Sequence, residues 1–300
     1  MTYRIIGPEA GASLDWLDLT RALEAGHALP RAEVKDSFLY RGEDTILSRA
    51  AWIDGLGALV KTATIWPGNT ARGKPAIGGA VSVFDDSDGS LQAMLDFALV
   101  TKWKTAGDSL LAATRLARPD SRRILIVGAG TVARSLREAY AAAFPDATFA
   151  SWSRTEATAR AFAAECGTEH VPDLAAAVRA ADIVTCATMT TEPILRGAWL
   201  RPGQHIDLIG AYRPDMREAD DDAVRRADLF VDSRKTTLDH IGELKIPLAE
   251  GVIAPSDVIA DYYDGAALRR TSDDQITLFK NGGGAHLDLM TARYILDATG

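Results

Sequence analysis

What the chain lacks narrows the field first. Only two cysteines, Cys166 and Cys186, occur in 300 residues, too few and too far apart for a disulfide framework or a zinc knuckle. The five histidines (His27, His170, His205, His240, His286) are scattered with no HxH or HxxxH pair, so no metal site is expected. Basic charge is in deficit, with 33 Lys+Arg against 41 Asp+Glu and a net charge of −8. A nucleic-acid partner, which needs a basic face to neutralise phosphates, is therefore not expected. Polar or charged residues break every apolar run well before the roughly 18 residues that a membrane span requires. The opening residues, Met-Thr-Tyr-Arg-Ile-Ile-Gly-Pro, lack the apolar core of a signal peptide, and the expected compartment is the cytoplasm. Glycine at 25 and proline at 12 exclude collagen-like and disordered classes.

What is present reads as two domains. Asp15–Gly26 has the spacing of an amphipathic helix, with Trp16, Leu17, Leu19 and Leu23 on one face. Strand-like runs follow at Ser37–Tyr40, Thr45–Leu47, Ala58–Trp66 and Ala80–Asp85, separated by Pro67-Gly68-Asn69 and similar turns, as in an antiparallel or mixed sheet. A helix over Val100–Ala117 closes this part, and Pro119 prevents its continuation. From Ser121 the pattern changes to alternating strand and helix: Arg123–Val127, a helix to Phe144, Thr148–Trp152, Glu156–Cys166, Leu174–Ala180, Ile183–Cys186, His205–Ile209 and Leu229–Val231. That alternation indicates a parallel, doubly wound sheet. Asp288–Ala298 reads as a final helix. The expected organisation is α/β: a substrate domain over residues 1–119, a dinucleotide-binding domain of the Rossmann type over 120–285, and a C-terminal helix, 286–300, returning to the first.

Gly128-Ala129-Gly130-Thr131-Val132-Ala133 is G-x-G-x-x-A between a strand and a helix. Gly128 permits the tight turn, Gly130 lets backbone approach a pyrophosphate, and Ala133 keeps the helix close to the sheet. The helix start then offers free N–H groups and a positive dipole to the phosphates. The plainer alternative is a tight strand–helix turn. The tip of the second strand reads Trp152-Ser153-Arg154-Thr155, with no acid until Glu156. An acid there usually holds the ribose 2′-hydroxyl of NAD, whereas Arg154, Ser153 and Thr155 suit a 2′-phosphate. NADP(H) is therefore preferred, with NAD(H) possible; the alternative is a solvated arginine beside a helix cap.

These motifs, with Lys61-Thr62-Ala63-Thr64-Ile65-Trp66-Pro67-Gly68-Asn69, Val83-Phe84-Asp85-Asp86, Thr101-Lys102-Trp103-Lys104-Thr105-Ala106, Gly210-Ala211-Tyr212-Arg213-Pro214-Asp215 with Glu218, Val231-Asp232-Ser233 and Thr277-Leu278-Phe279-Lys280, resemble the ornithine cyclodeaminase/mu-crystallin family over nearly the whole chain. The resemblance implies a Rossmann domain with an α+β substrate and dimerisation domain, a homodimer built through the N-terminal sheets, and hydride transfer between nicotinamide and the α-carbon of an amino or imino acid.

An α-imino acid reductase needs cations for the carboxylate and a proton donor near the imine nitrogen. The resemblance places Lys61 at the substrate lysine, and a lysine among Leu59, Val60 and Ile65 would be costly to bury unpaired. An outward-facing strand lysine is the alternative. Lys104 stands where the family commonly has an arginine clamp, so the charge is kept and the planar fork lost. Arg49, where many members have methionine, is the second carboxylate candidate, and Arg31 matches a further family arginine. Tyr212 replaces the aspartate that handles the substrate amine in cyclodeaminases, which argues against ornithine cyclisation; the tyrosine could donate a proton or shape the pocket. The resemblance also assigns Thr105, Thr188, Met189, Asp232 and Gly283 to the cofactor. The reading is thus an NADP(H)-dependent oxidoreductase reducing a cyclic ketimine or oxidising the matching amino acid. A true ornithine cyclodeaminase and a non-enzymatic binding protein are the alternatives.

Overall fold

A computed structural model describes residues 3–300. Two compact units emerge, one formed by the chain up to Lys104 together with Gly283–Gly300, the other by Thr105–Gly282.

The first unit opens with β1 (Arg4–Ile6) and α1 (Trp16–His27), followed by β2 (Glu33–Arg41), β3 (Asp44–Ile53), β4 (Gly57–Ile65), β5 (Ile77–Phe84) and β6 (Leu91–Asp96). Asp15 caps α1 by accepting from Leu17 N at 2.8 Å and Asp18 N at 2.9 Å, worth about 1 kcal/mol. The six strands lie in the order β1-β6-β5-β4-β3-β2, antiparallel except for the parallel β1–β6 pair. Alternation along β4 turns Leu59, Lys61 and Ala63 to the buried face and leaves Val60 outside. The antiparallel register then aligns one cross-strand row: Asp36 on β2, Arg49 on β3, Lys61 on β4 and Val81 on β5.

Helix α2 (Phe97–Leu116) carries the chain out of the first unit, whose limit falls at Lys104 inside the helix rather than at residue 119. The proline at 119 ends the helix, but packing divides it earlier, because its first two turns bear on the antiparallel sheet's side chains. The second unit contains β7 (Arg123–Val127), α3 (Thr131–Ala143), β8 (Thr148–Trp152), α4 (Glu156–Cys166), β9 (Glu169–His170), α5 (Leu174–Ala180), β10 (Ile183–Cys186), β11 (His205–Leu208), α6 (Asp221–Arg226), β12 (Asp228–Val231), α7 (Arg234–Thr237), α8 (Gly242–Ala249), β13 (Val258–Ala260) and β14 (Thr277–Lys280). Its sheet is wholly parallel, ordered β13-β12-β14-β11-β10-β7-β8-β9. The strand order reverses between β7 and β10, the switch point at which doubly wound folds bind nucleotides. Leu125, Val127, Val184, Ile206, Leu229 and Leu278 build its core.

α9 (Ala285–Ala298) closes the chain in the first unit; its residues from Ala285 to Ala292 are all buried. Among the described residues no helix is long and apolar enough to cross a membrane.

Candidate active site

The first unit gathers four buried or half-buried charged side chains. Lys61 is only 4% exposed, and its ammonium donates to Asp288 Oδ1 and to Thr101 Oγ1, both at 2.8 Å. Phe97 covers it, with the ring centroid 4.7 Å from Nζ. Arg49 donates through Nη1 to Gly283 O at 2.8 Å and sits 3.5 Å from Asp288 Oδ2; its other edge holds Asp36 at 2.7 and 3.3 Å. Lys104, also buried, donates to the same Gly283 carbonyl at 3.2 Å. Gly283 has φ +66, a conformation glycine adopts without strain, and this turns its carbonyl to the two cations. Gly283 therefore serves the cation cluster directly, whatever its relation to the nicotinamide.

Burial lowers the Lys61 ammonium to about 8; Asp288 opposes that fall, and Lys104 and Arg49 add to it. Burial would raise Asp288, but Lys61, Lys104 and Arg49 together outweigh it and hold the carboxyl below its ordinary range. The pair is ionised at neutral pH, with Lys61 poised close to it. Burial also depresses His286, two residues before Asp288 on α9, to about 3, with Lys104, Arg49 and Arg31 contributing. Arg31 itself is exposed, so it acts on the cluster by charge.

Asp288, Thr101, Phe97 and Asp36 were not singled out by the sequence. Asp288 left one trace: a charged residue amid Leu287, Leu289, Met290 and Ala292 in a helix with no exposed face there. An open cleft of about 750 Å³ lies in the same unit, bounded by Trp66, Arg72, Lys74, Gly79, Asp96 and Phe97. Phe97 thus has contact with both cleft and ammonium.

In the second unit the β7–α3 turn fits a dinucleotide on geometric grounds. Gly128 has φ +123, and a Cβ there would stand 2.7 Å from Ala187 O. Gly130 faces open space at the start of α3, so backbone can approach a pyrophosphate, and Ala133 is fully buried against the sheet. Thr131 is exposed and Val132 half-buried on the first turn. At the β8 tip, Arg154 and Thr155 are exposed and Ser153 is half-buried; the Thr155 hydroxyl takes no part in capping α4. Glu156, the first acid after the strand, pairs with Arg160 at 2.7 Å.

The loop after β10 is fastened from below. Glu218 Oε1 accepts from Thr188 N and Thr188 Oγ1, and its Oε2 from Gly210 N, all at 2.7 Å. Met189, at 71% exposure, stands out from that loop. Tyr212 is exposed on the neighbouring loop, beside the Arg213–Asp215 pair. Asp232 is buried and accepts from Ser233 N and Thr237 Oγ1, which fixes the turn after β12. The carbonyl of Thr105 accepts from Asn281.

Comparison with known proteins bears on the family and the fold. A sequence profile of the ornithine cyclodeaminase/mu-crystallin family matches residues 53–299. The Δ1-pyrroline-2-carboxylate reductase of Paracoccus denitrificans is 54% identical over 296 residues, covering 96% of this chain and 94% of that one. The ketimine reductase mu-crystallin of Mus musculus is 36% identical over 240 residues, 79% of this chain and 75% of its own. The structure of Thermococcus litoralis Δ1-pyrroline-2-carboxylate reductase in complex with NADH and L-proline superimposes with a TM-score of 0.89 at 26% identity, covering 99% and 97% of the two chains.

Proposed function

Because the chain belongs to the ornithine cyclodeaminase/mu-crystallin family, we propose that it reduces a cyclic α-imino acid, Δ1-pyrroline-2-carboxylate being the first choice, to the corresponding amino acid, L-proline. One observation carries the reading: three cations, Arg49, Lys61 and Lys104, stand together with a single fully buried carboxylate, Asp288. Buried cations in excess are costly unless an anion joins them, and a substrate carboxylate would be that anion. Arg49 and Lys104 bind it, with Arg31 adding positive charge from the surface. Lys61 delivers a proton to the imine nitrogen, which an ammonium poised near neutrality can do. The nicotinamide, when bound, supplies the hydride to the α-carbon, and Lys61 then recovers its proton from solvent.

NADP(H) is the proposed cofactor. Arg154 is exposed at the β8 tip, and the nearest acid, Glu156, is occupied by Arg160. The Gly128–Ala133 turn holds the pyrophosphate. Thr188 and Met189 of the second unit are proposed to meet the nicotinamide end, with Thr105 and Asp232 supporting it. Tyr212 shapes the pocket in place of the cyclodeaminase aspartate, so ornithine cyclisation is not expected. A homodimer fits β2, a nine-residue edge strand with Phe38, Leu39 and Tyr40 exposed at 48%, 67% and 72%. Such an edge is a liability unless another sheet covers it.

The test is NADPH consumption over a panel of Δ1-pyrroline-2-carboxylate, Δ1-piperideine-2-carboxylate and ornithine, with ammonia assayed alongside. The reading requires stoichiometric NADPH oxidation on a cyclic imine. Ammonia released from ornithine without net cofactor change would replace it with a cyclodeaminase, and nucleotide binding without turnover would make the chain a binding protein.

A further inference from the structure

Resting on that reading, we propose that Asp288 is the positioning residue of the reduction: its carboxylate bridges the proton donor and the carboxylate clamp, fixing Lys61 with one oxygen and Arg49 with the other. The geometry is specific. Asp288 is fully buried on α9, with Oδ1 2.8 Å from Lys61 Nζ and Oδ2 3.5 Å from Arg49 Nη1. Lys61 and Arg49 are themselves directly opposed on neighbouring strands. A four-carbon lysine stem has many rotamers, and a flexible ammonium makes a poor acid unless it is aimed. Asp288 and Thr101 take two of its three protons, Thr101 in turn donating to Phe97 O at 2.7 Å. One proton is left for a substrate nitrogen.

The groups facing Lys61 define what Asp288 does electrostatically. From α2 comes Lys104, from β3 Arg49, from α9 His286, and from β2 Asp36, which is spent on Arg49. Asp288 is the one anion that touches the ammonium among the described residues. Without it, Lys61 would stand between two cations and shed its proton at lower pH.

Asp288→Asn keeps the size and removes the charge. The expected kcat for imine reduction falls ~100-fold. The alkaline limb of the kcat–pH profile, which marks loss of the Lys61 proton, moves to lower pH by more than about one unit. Arg49 retains Gly283 O and Asp36, so the Kd of pyrrole-2-carboxylate, an unreactive planar carboxylate, stays within about threefold. A limb that does not move, or a lost kcat matched by equal loss of analogue binding, overturns the proposal. Should the amide variant not fold, Asp288→Glu carries the test. A longer carboxylate preserves the limb but misplaces the ammonium, lowering kcat ~10-fold, and full activity in that variant also overturns it. Absence of NADPH turnover by the wild-type protein on every cyclic imine would instead remove the functional reading beneath.

Discussion

Each unit buries a cluster of like charges, and the two are satisfied in opposite ways. In the first, Arg49, Lys61 and Lys104 outnumber Asp288 and Asp36, and Arg49 and Lys104 share one backbone carbonyl, that of Gly283. In the second, Glu218 and Glu243 outnumber Lys280, and all three are wholly buried. There the fold supplies the partners: Glu243 accepts from Glu218 N at 2.7 Å and Ala219 N at 2.9 Å, while Glu218 accepts from Thr188, Gly210 and Ala211. Lys280 donates to Leu208 O at 2.8 Å. Burial, then the charge of Glu243, lifts Glu218 to about 7, with Lys280 pulling the other way. A carboxylate saturated by amides of its own chain has nothing left for a ligand and works as a fastener of loops. A surplus of cations over carboxylates leaves room for one more anion, the place that the proposed substrate carboxylate would take.

The largest effect should come from Lys61→Met. Removing the proton donor lowers kcat/KM ~1,000-fold. Thermal stability should fall only in part, because the buried Asp288 loses its 2.8 Å partner at Oδ1 but keeps Arg49 beside Oδ2, and the thioether carries no desolvation cost of its own. Steady-state rates and a melting curve on the same preparation decide it. A variant that melts early yet keeps its residual kcat/KM would assign Lys61 to the architecture and break the contrast.

Glu218→Ala tests the other cluster. It leaves the amides of Thr188 and Ala211 without their acceptor, while Gly210 N keeps only Cys186 O, costing about 3 kcal/mol in urea unfolding. The KM for the imino acid should stay within about twofold while the cofactor binds more weakly, since the loop after β10 loses its fastening. Equal loss in substrate binding would mean that both clusters serve ligands.

Legibility in the sequence follows the same division. The β7–turn–α3 unit was readable because an apolar run, two glycines and a helix pattern are local signals, and the structure places β7 at the residues expected. Lys61 was singled out by the resemblance and its apolar neighbours, and the strand's alternation buries it beside Leu59 and Ala63. β2 and β3 extend beyond the expected Ser37–Tyr40 and Thr45–Leu47 because an antiparallel partner recruits flanking residues of weak propensity, such as Glu33 and Arg41. β1 and β9, three and two residues long, were too short to announce themselves. β14 lies between β11 and β12, an inversion of chain order that no linear pattern reveals. Asp36 and Asp288 were missed because what brings them to the cation cluster is register and the return of α9, both tertiary facts.

Acid sensitivity separates the units further. Each holds a wholly buried histidine neutral in the fold: burial keeps His205 at about 3 in the second unit and His286 at about 3 in the first. A histidine depressed in the folded state binds its proton in the unfolded chain first. Stability is therefore intact above the unfolded value near 6.5 and is lost as pH falls from there toward 3. His205→Gln should flatten that slope by about 2 kcal/mol between pH 6.5 and 4.5, measured by urea unfolding at a series of pH values. An unchanged slope would mean that His205 is hydrated in the native protein.

The smallest effect belongs to an exposed cation of the second unit. Arg154 stands in solvent at the β8 tip, so its removal costs the fold nothing measurable, and its partner, if it has one, is a ligand. Arg154→Ser should raise the KM for NADPH about tenfold and leave that for NADH within twofold, because only the former carries a 2′-phosphate for the guanidinium to pair with. Imino-acid KM should not move. Such a result would assign substrate binding to buried cations of the first unit and cofactor choice to a surface cation of the second. Equal losses with both cofactors would make Arg154 a contact to the shared pyrophosphate or ribose, and NADP(H) preference would then lose its main support.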